Sequence, residues 1–292
     1  MSEKKYLSRC YTVTALSNMH VGSGDESIGL VDNRVQRDVV TNLPCINASG
    51  LKGSLREYFS SVWSEKAEQI TYIFGSESNS NKKEEHKAGA FNFFSGNLLS
   101  MPVRSNRRPH YFATSPEILK ELLSFAEHIG HTLPEKFVKA AKAAIGLNIE
   151  DKKALVFDGS KEGQLEDFDI TIQKGSLDEG SLKTLEELLG SPLALCAQET
   201  MKLFCDDFHL PLIARNNLEN GRSKNLWHEQ VVPRQSRFYF FILEPSDAKY
   251  KLEFKHGKPV QIGGNASIGY GFCAIKELKE LPSAQPKEES AG

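Results

Sequence analysis

Asn47-Ala48-Ser49-Gly50-Leu51-Lys52-Gly53-Ser54-Leu55-Arg56 follows a basic, strand-like segment at Gln36-Arg37-Asp38 and carries the chain through a small-residue turn into a helix. The first N–H groups of a helix lack intrahelical acceptors and the helix dipole makes that end positive, so such a turn favours a phosphate. Lys52 and Arg56 stand four residues apart and can project from one side of the opening turns. Cations there weaken a helix start that holds no anion, which fits ligand binding better than capping. The plain alternative is a strand-turn-helix with a solvated Lys and Arg. The turn lacks the Gly-Lys-Ser/Thr end of a P-loop, and Gly22-Ser23-Gly24 lacks the third glycine of a dinucleotide fingerprint, so no nucleotide cofactor is expected.

Outward from this turn, Cys10 to Leu16 alternates β-branched and aromatic residues and reads as a strand, with a helix over Leu51 to Trp63. Phe91 to Phe94 and Leu98-Leu99 suggest a strand pair or a bent strand. Ser115 caps and Pro116 opens a helix with Ile118, Leu119, Leu122, Leu123 and Phe125 at helical spacing. Pro134 to Ala144 and Leu182 to Leu189 are further helices, Asp206 to Leu212 a short strand, and Arg237 to Leu243 a strand buried on both faces. Strands and helices mix without a strict βαβ rhythm, which predicts α+β. The Ser, Asn, Lys and Glu-rich stretch from Ser76 to Lys87 is expected to be a mobile loop, and residues 281–292 a disordered tail after a single domain over 1–280. No internal repeat is visible.

With 292 residues and 39% hydrophobic content the chain can bury a full core. No apolar run reaches the roughly 18 residues of a membrane span, and Met1 to Tyr6 is too polar to begin a secretory signal, so a cytoplasmic protein is expected. Cys10, Cys45, Cys196, Cys205 and Cys273 are odd in number and scattered, which favours reduced, buried thiols over disulfides or zinc. A net charge of −2 argues against indiscriminate nucleic-acid binding. Local patches remain. Arg104, Arg107 and Arg108 sit in an acid-free block beside Pro109, His110, Tyr111 and Phe112, and Arg215, Arg222, Lys224, Arg234 and Arg237 surround a stretch whose acids are Glu219 and Glu229. Interleaved cations and rings suit single-stranded RNA, although a solvated face is the commoner meaning of a charge run.

Several blocks together resemble the RAMP superfamily of CRISPR RNA-guided effectors, in the branch of the repeated backbone subunit of the type III-B (Cmr) complex. They are Leu16 to Gly24 with its His20-Val21-Gly22-Ser23-Gly24, Val31 to Asp38, Ser49 to Arg56, Phe74-Gly75, Ala90 to Leu99, Pro102 to Ser105, Asn225 to Glu229 before Pro233, and Ile262 to Gly271. The resemblance spans about Thr12 to Phe272. It implies an RRM-like, ferredoxin-like palm with a helical insertion at about 115–190 and a protruding β-hairpin thumb at about 215–230. It also implies a target-RNA endoribonuclease whose partners are crRNA, complementary target RNA, copies of itself in a helical filament and other Cmr-type subunits, with no membrane. A divalent ion, Mg or Mn, is expected for cleavage.

Asp32, with Arg34 and Arg37 nearby in sequence, reads on physics alone as a structural ion pair. By the resemblance it matches the catalytic aspartate, acting as base toward an RNA 2′-hydroxyl or as metal ligand. Glu229 and His20 are second-rank candidates for proton transfer or transition-state contact, His20 being equally readable as a hydrogen-bonded loop residue. Ser49, Lys52, Arg56, Arg37, Arg104, Arg215, Arg222 and Lys224 are the expected RNA-binding residues. Gly263 and Gly264 join them because glycine lets backbone approach a phosphate, the plain alternative being a turn that needs positive φ. Trp227 is expected to pack at the thumb base. Two other functions fit the same residues: a non-catalytic crRNA-binding structural subunit, and a repeat-processing ribonuclease using His20.

Overall fold

A computed structural model describes residues 5–24, 31–63, 66–76, 87–219 and 222–279. The loop expected at Ser76 to Lys87 lies, apart from its end residues, outside the described residues, as do the expected tail and residues 220–221.

The chain opens with β1 (Tyr6–Ala15), β2 (Cys45–Ile46), α1 (Ala48–Val62), α2 (Ala67–Phe74), β3 (Asn92–Phe93), β4 (Gly96–Arg104) and β5 (His110–Thr114). There follow α3 (Pro116–His128), α4 (Glu135–Ile145), β6 (Lys153–Val156), β7 (Thr171–Lys174), α5 (Glu179–Leu189), β8 (Leu193–Cys196) and α6 (Gln198–Phe204). The last elements are β9 (Leu212–Glu219), β10 (Arg222–Gln230), β11 (Arg237–Pro245), β12 (Val260–Gln261) and β13 (Phe272–Glu277).

Four strands carry the palm in the order β13-β1-β11-β4, each antiparallel to its neighbour. β1 and β4 are therefore parallel, joined through α1, with β11 inserted between them. That split βαβ arrangement is ferredoxin-like. The return from β11 to β13 uses an irregular segment in place of the second helix, and its Phe254 fills the space beneath α1, 5.2 Å from both Tyr11 and Phe59.

β11 is central, which explains its unbroken apolar run. Phe240 stacks on Tyr11 at 5.2 Å on the side of α1, while Phe241 meets Phe125 of α3 at 5.2 Å on the other. A strand covered on both faces has no reason to alternate. α1 buries Leu51, Leu55, Tyr58 and Phe59 at helical spacing. It needs that burial, because Gly50 and Gly53 each cost about 1 kcal/mol relative to Ala and Asn47 makes no side-chain cap. In α3, by contrast, Ser115 Oγ accepts the Ile118 N–H at 3.2 Å and Pro116 follows, as the sequence predicts.

The insertion between β4 and β11 is more than helical. β5, β8, β6 and β7 extend the palm sheet outward, with β5–β8 and β6–β7 parallel, and α3, α4 and α5 cover them. These four- and five-residue strands are too short for periodicity to reveal. Phe91 to Leu99 forms two strands that pair with β11 and not with each other. The strand expected at Asp206 to Leu212 is instead a turn, because the Asp206 carboxylate accepts the Phe208 N–H at 2.8 Å and closes the backbone locally.

All five cysteines are free and buried. Burial pushes the thiols of Cys196, Cys205 and Cys273 up to about 12 and that of Cys45 up to about 11, and raises Cys10 further. A disulfide-exchange reagent at pH 8 should label no thiol in the native protein and all five in denaturant. Rapid native labelling would show that one of these sites opens to solvent.

Candidate RNA-cleavage site at the thumb base

β9 and β10 form a separate two-stranded ribbon. Residues 222–226 are all exposed and burial begins only at Glu229 and Gln230, so the hairpin stands away from the body on a buried root. The root is where the candidate residues meet.

The segment around Asp32 meets β10 through an isolated parallel bridge. Asn33 bridges Glu229, and the Gln230 N–H donates to the Asn33 carbonyl at 2.9 Å. Asp32 clasps one residue from both sides: its N–H donates to the His228 carbonyl at 3.2 Å, and its Oδ2 accepts the His228 N–H at 2.7 Å. The carboxylate is exposed, and Oδ1 makes no hydrogen bond or ion pair among the described residues. Asp32 is paired with neither neighbouring arginine. Arg34 and Arg37 both turn to Asp207, at 2.9 and 3.3 Å. The ion-pair reading of Asp32 is therefore not what the chain builds.

Behind Asp32 lies a buried polar node. Glu229 is 4% exposed. Its Oε2 accepts from Arg215 at 2.9 Å and its Oε1 from Asn265 Nδ2 at 2.7 Å, so both oxygens are occupied. Arg215 faces Trp227 across the ribbon, with its guanidinium 5.8 Å from the indole, and so reaches Glu229 on the diagonal of the same face. Trp227 is half-buried there, beside that guanidinium. His20 is 8% exposed, with Nδ1 2.7 Å from the Gln230 carbonyl and Nε2 3.6 Å from Glu229 Oε1. A ring nitrogen facing a carbonyl carries the proton, which leaves Nε2 toward the carboxylate.

The glycine turn closes the node. Gly263 has φ +88°, and a Cβ there would lie 2.3 Å from the His20 carbonyl, while the Gly264 N–H donates to that same carbonyl at 2.9 Å. At Gly263 the close approach is to the chain itself, so the turn reading accounts for that glycine. Gly264 is exposed, with a Cβ position 3.9 Å from its nearest neighbour, and leaves room for a ligand. Gly263→Ala should destabilise the protein by about 2 kcal/mol or more, from strain and backbone collision together. Unchanged urea unfolding would refute this.

The remaining basic residues are more dispersed. α1 lies against β12, which runs into the glycine turn. Space beside Gly50 and Gly53 is open, and Lys52 has no ion-pair partner among the described residues. Arg56 is engaged, donating to the Gly75 carbonyl at 2.8 Å. The Arg104 block is acid-free in sequence but not in space: Arg104 meets Glu166 and Asp167 at 2.7 and 2.9 Å, Arg107 meets Glu162, and Arg108 meets Asp158. On the thumb, Lys224 pairs with Glu219 and Arg222 is exposed. Sequence reasoning missed Asn265, Gln230 and Asp207. The first two lie inside or next to quoted blocks, but only the fold reveals what they hold.

The RAMP superfamily model matches residues 12–274. The chain is 30% identical to the Cmr endoribonuclease Cmr4 of Pyrococcus furiosus over 95% of its length and 97% of the relative's. It is 23% identical to the Cmr4 subunit of Saccharolobus solfataricus, over 92% and 96% of the two chains. Among solved structures, a chain of a type III-B Cmr-beta complex bound to cognate target RNA superposes with TM-score 0.77 at 19% identity, covering 94% of this chain and 99% of that one. Oligomeric Cmr4 from Pyrococcus furiosus gives 0.66 at 22% identity, covering 94% and 100%. No helix among the described residues is long and apolar enough to cross a membrane. By the matched model and by its identity with a Cmr4 relative along nearly its whole length, the chain belongs to the RAMP superfamily, in the Cmr4 family.

Proposed function

We infer that the protein is a repeated backbone subunit of a type III-B Cmr effector complex, which binds crRNA along a filament of its own copies and cleaves complementary target RNA at regular intervals. The observation that carries this is Asp32: an exposed carboxylate with one open oxygen, clasped to the root of a protruding hairpin. A relative named as a Cmr endoribonuclease, and related folds bound to target RNA and in oligomeric form, support the activity and the partners.

Cleavage by the RNA's own 2′-oxygen requires that oxygen, phosphorus and leaving 5′-oxygen lie in line, which a regular duplex forbids. A hairpin wedged into the guide–target duplex displaces a base pair and frees the adjacent backbone to reach that geometry. Asp32 takes the 2′-hydroxyl proton; the 2′-oxygen attacks phosphorus and the bond to the 5′-oxygen breaks, leaving a cyclic phosphate and a 5′-oxygen that takes its proton from water to become a hydroxyl. Glu229 and His20 act by position, holding Arg215, Asn265 and the glycine turn so that Asp32 stays at the thumb root. With His20 buried and its Nδ1 occupied, repeat processing through that ring is the weaker reading.

Among the described residues no three His, Cys, Asp or Glu side chains gather as a metal cage. The open Oδ1 of Asp32 fits the other common arrangement, in which Mg or Mn is held by one carboxylate together with substrate phosphate oxygens and water. An ion there would polarise the scissile phosphate. Guide phosphates rest on Ser49, Lys52 and Gly264, with Arg222 along the thumb. Arg37, Arg56, Arg104 and Lys224 contribute field more than direct contact, because each already has a protein partner. The setting is the cytoplasm, where a guide and its transcript meet. Reconstituting the complex with crRNA and complementary RNA should give a ladder of evenly spaced products; a single cut would assign the nuclease to another subunit.

A further inference from the structure

Asp32 keeps an open oxygen although two arginines follow it closely in the chain. Arg34 stands two residues on, about 7 Å along an extended chain and at the spacing that such a chain places on one side, well within an arginine's reach of the Asp32 carboxylate. A guanidinium with no other partner would pair with it there. Instead Arg34 Nη1 lies 2.9 Å from Asp207 Oδ2 and Arg37 Nη2 lies 3.3 Å from Asp207 Oδ1, so that one carboxylate serves both. Arg37 is also held without Asp207, since its Nη1 donates to the Asn42 carbonyl at 2.9 Å. Arg34 is not: its side chain is 41% exposed, and Asp207 is the acid that it meets among the described residues.

Two features set Asp207 in this place. Gln230, fully buried, donates from Nε2 to the Asp207 carbonyl at 3.1 Å and accepts the Val35 N–H on Oε1 at 3.1 Å, so one side chain ties the turn after α6 to the segment that carries both arginines. Asp206, the neighbouring acid, is engaged within the turn by the Phe208 N–H at 2.8 Å and by His209 Nδ1 at 2.6 Å. The arginines therefore meet Asp207 and not Asp206. A solvent-accessible ion pair such as Arg34–Asp207 adds little to stability, so its consequence lies in where it keeps the charge.

We propose that Asp207 is a positioning residue for cleavage: it sequesters Arg34 and thereby keeps Oδ1 of Asp32 open to RNA or to a metal ion. The proposal rests on Asp32 being the cleavage residue. It holds whether that carboxylate acts as base or as ligand, because a paired guanidinium would occupy the same oxygen in either case.

The test uses the complex reconstituted with crRNA and complementary RNA, carrying Asp207→Asn, Asp207→Glu, Arg34→Gln, or Asp207→Asn together with Arg34→Gln. Asp207→Asn keeps the carbonyl that Gln230 holds and loses the charge. It should slow single-turnover cleavage about 5-fold, the share of time that an exposed ion pair would hold Asp32, with crRNA binding, target binding and Tm close to wild type. Asp207→Glu should restore most of the rate. Arg34→Gln alone should cut within about twofold of wild type, and adding it to Asp207→Asn should bring the rate back, a coupling that two independent losses of contact do not show. The proposal is overturned if Asp207→Asn cleaves at the wild-type rate, if Arg34→Gln alone is slowed as much as Asp207→Asn, or if the double variant stays slow. A structural loss is not repaired by removing the second partner, so the double variant decides the matter where Asp207→Asn also lowers Tm. A wild-type complex that yields no ladder removes the cleavage reading, and this proposal with it; a wild-type ladder with any of the three overturning results removes this proposal alone.

Discussion

Asp32→Asn should leave the guide-bound filament intact and reduce target cleavage by about 100- to 10,000-fold, the range supplied by a single general acid or base. Asparagine keeps an oxygen that can accept the His228 N–H, so the clasp that seats this segment on β10 survives. What disappears is the negative charge and proton affinity at the open oxygen. Measuring single-turnover cleavage on assembled complex separates this from a folding defect, since crRNA binding should match the wild type. Ladder formation at the wild-type rate would remove Asp32 from the reaction and favour a purely structural subunit. Asp32→Cys distinguishes ligand from base: if the side chain holds the metal, a thiophilic ion such as Cd²⁺ should restore cutting where Mg²⁺ does not.

Glu229→Ala has the second largest expected effect, and it falls on stability and activity together. The substitution leaves Arg215 with a charge at the hairpin root and no carboxylate, and Asn265 without its acceptor. Removing one partner of a buried ion pair costs about 3–5 kcal/mol, and since Arg215 retains 23% side-chain exposure the lower end applies. A loss of about 3 kcal/mol corresponds to a fall of roughly 6–12 °C in Tm for a domain of this size. Glu229→Gln should recover part of it, because an amide oxygen can still accept from Arg215 or Asn265. Cleavage should fall with the loss of the Asn265 tether, and crRNA binding should fall less. A Glu229→Ala protein with wild-type melting and cleavage would mean that the node does not hold the thumb.

Much of this molecule is written locally. The α3 start is legible because Ser115 and Pro116 satisfy the first amides themselves, and β11 because six consecutive apolar residues, Phe238 to Leu243, suit a strand covered on both faces. The helix at Leu51 is legible for a similar reason, its apolar residues recurring once per turn. Asp32, His20 and Glu229 could be named from their blocks, but their meeting at one hairpin root follows from a bridge between Asn33 and Glu229 nearly two hundred positions apart in the chain. The acids facing Arg104, Arg107 and Arg108 come from residues 158–167 and could not be read from the basic block alone.

Sequence by itself determined the fold class, the larger helices and the central strand, because each depends on side-chain chemistry or spacing within a few residues, whereas Asp32 was singled out by the family resemblance and not by its local chemistry. Tertiary structure decided which charges remain available. It turned Arg34 and Arg37 away from Asp32 toward Asp207, filled both oxygens of Glu229, spent Gly263 on the chain's own backbone and set Phe208 out in solvent. The physical reason is that a charge or an aromatic face is defined by what lies within a few ångströms of it, and the long-range strand pairing of β1, β4, β10 and β11 sets those neighbours.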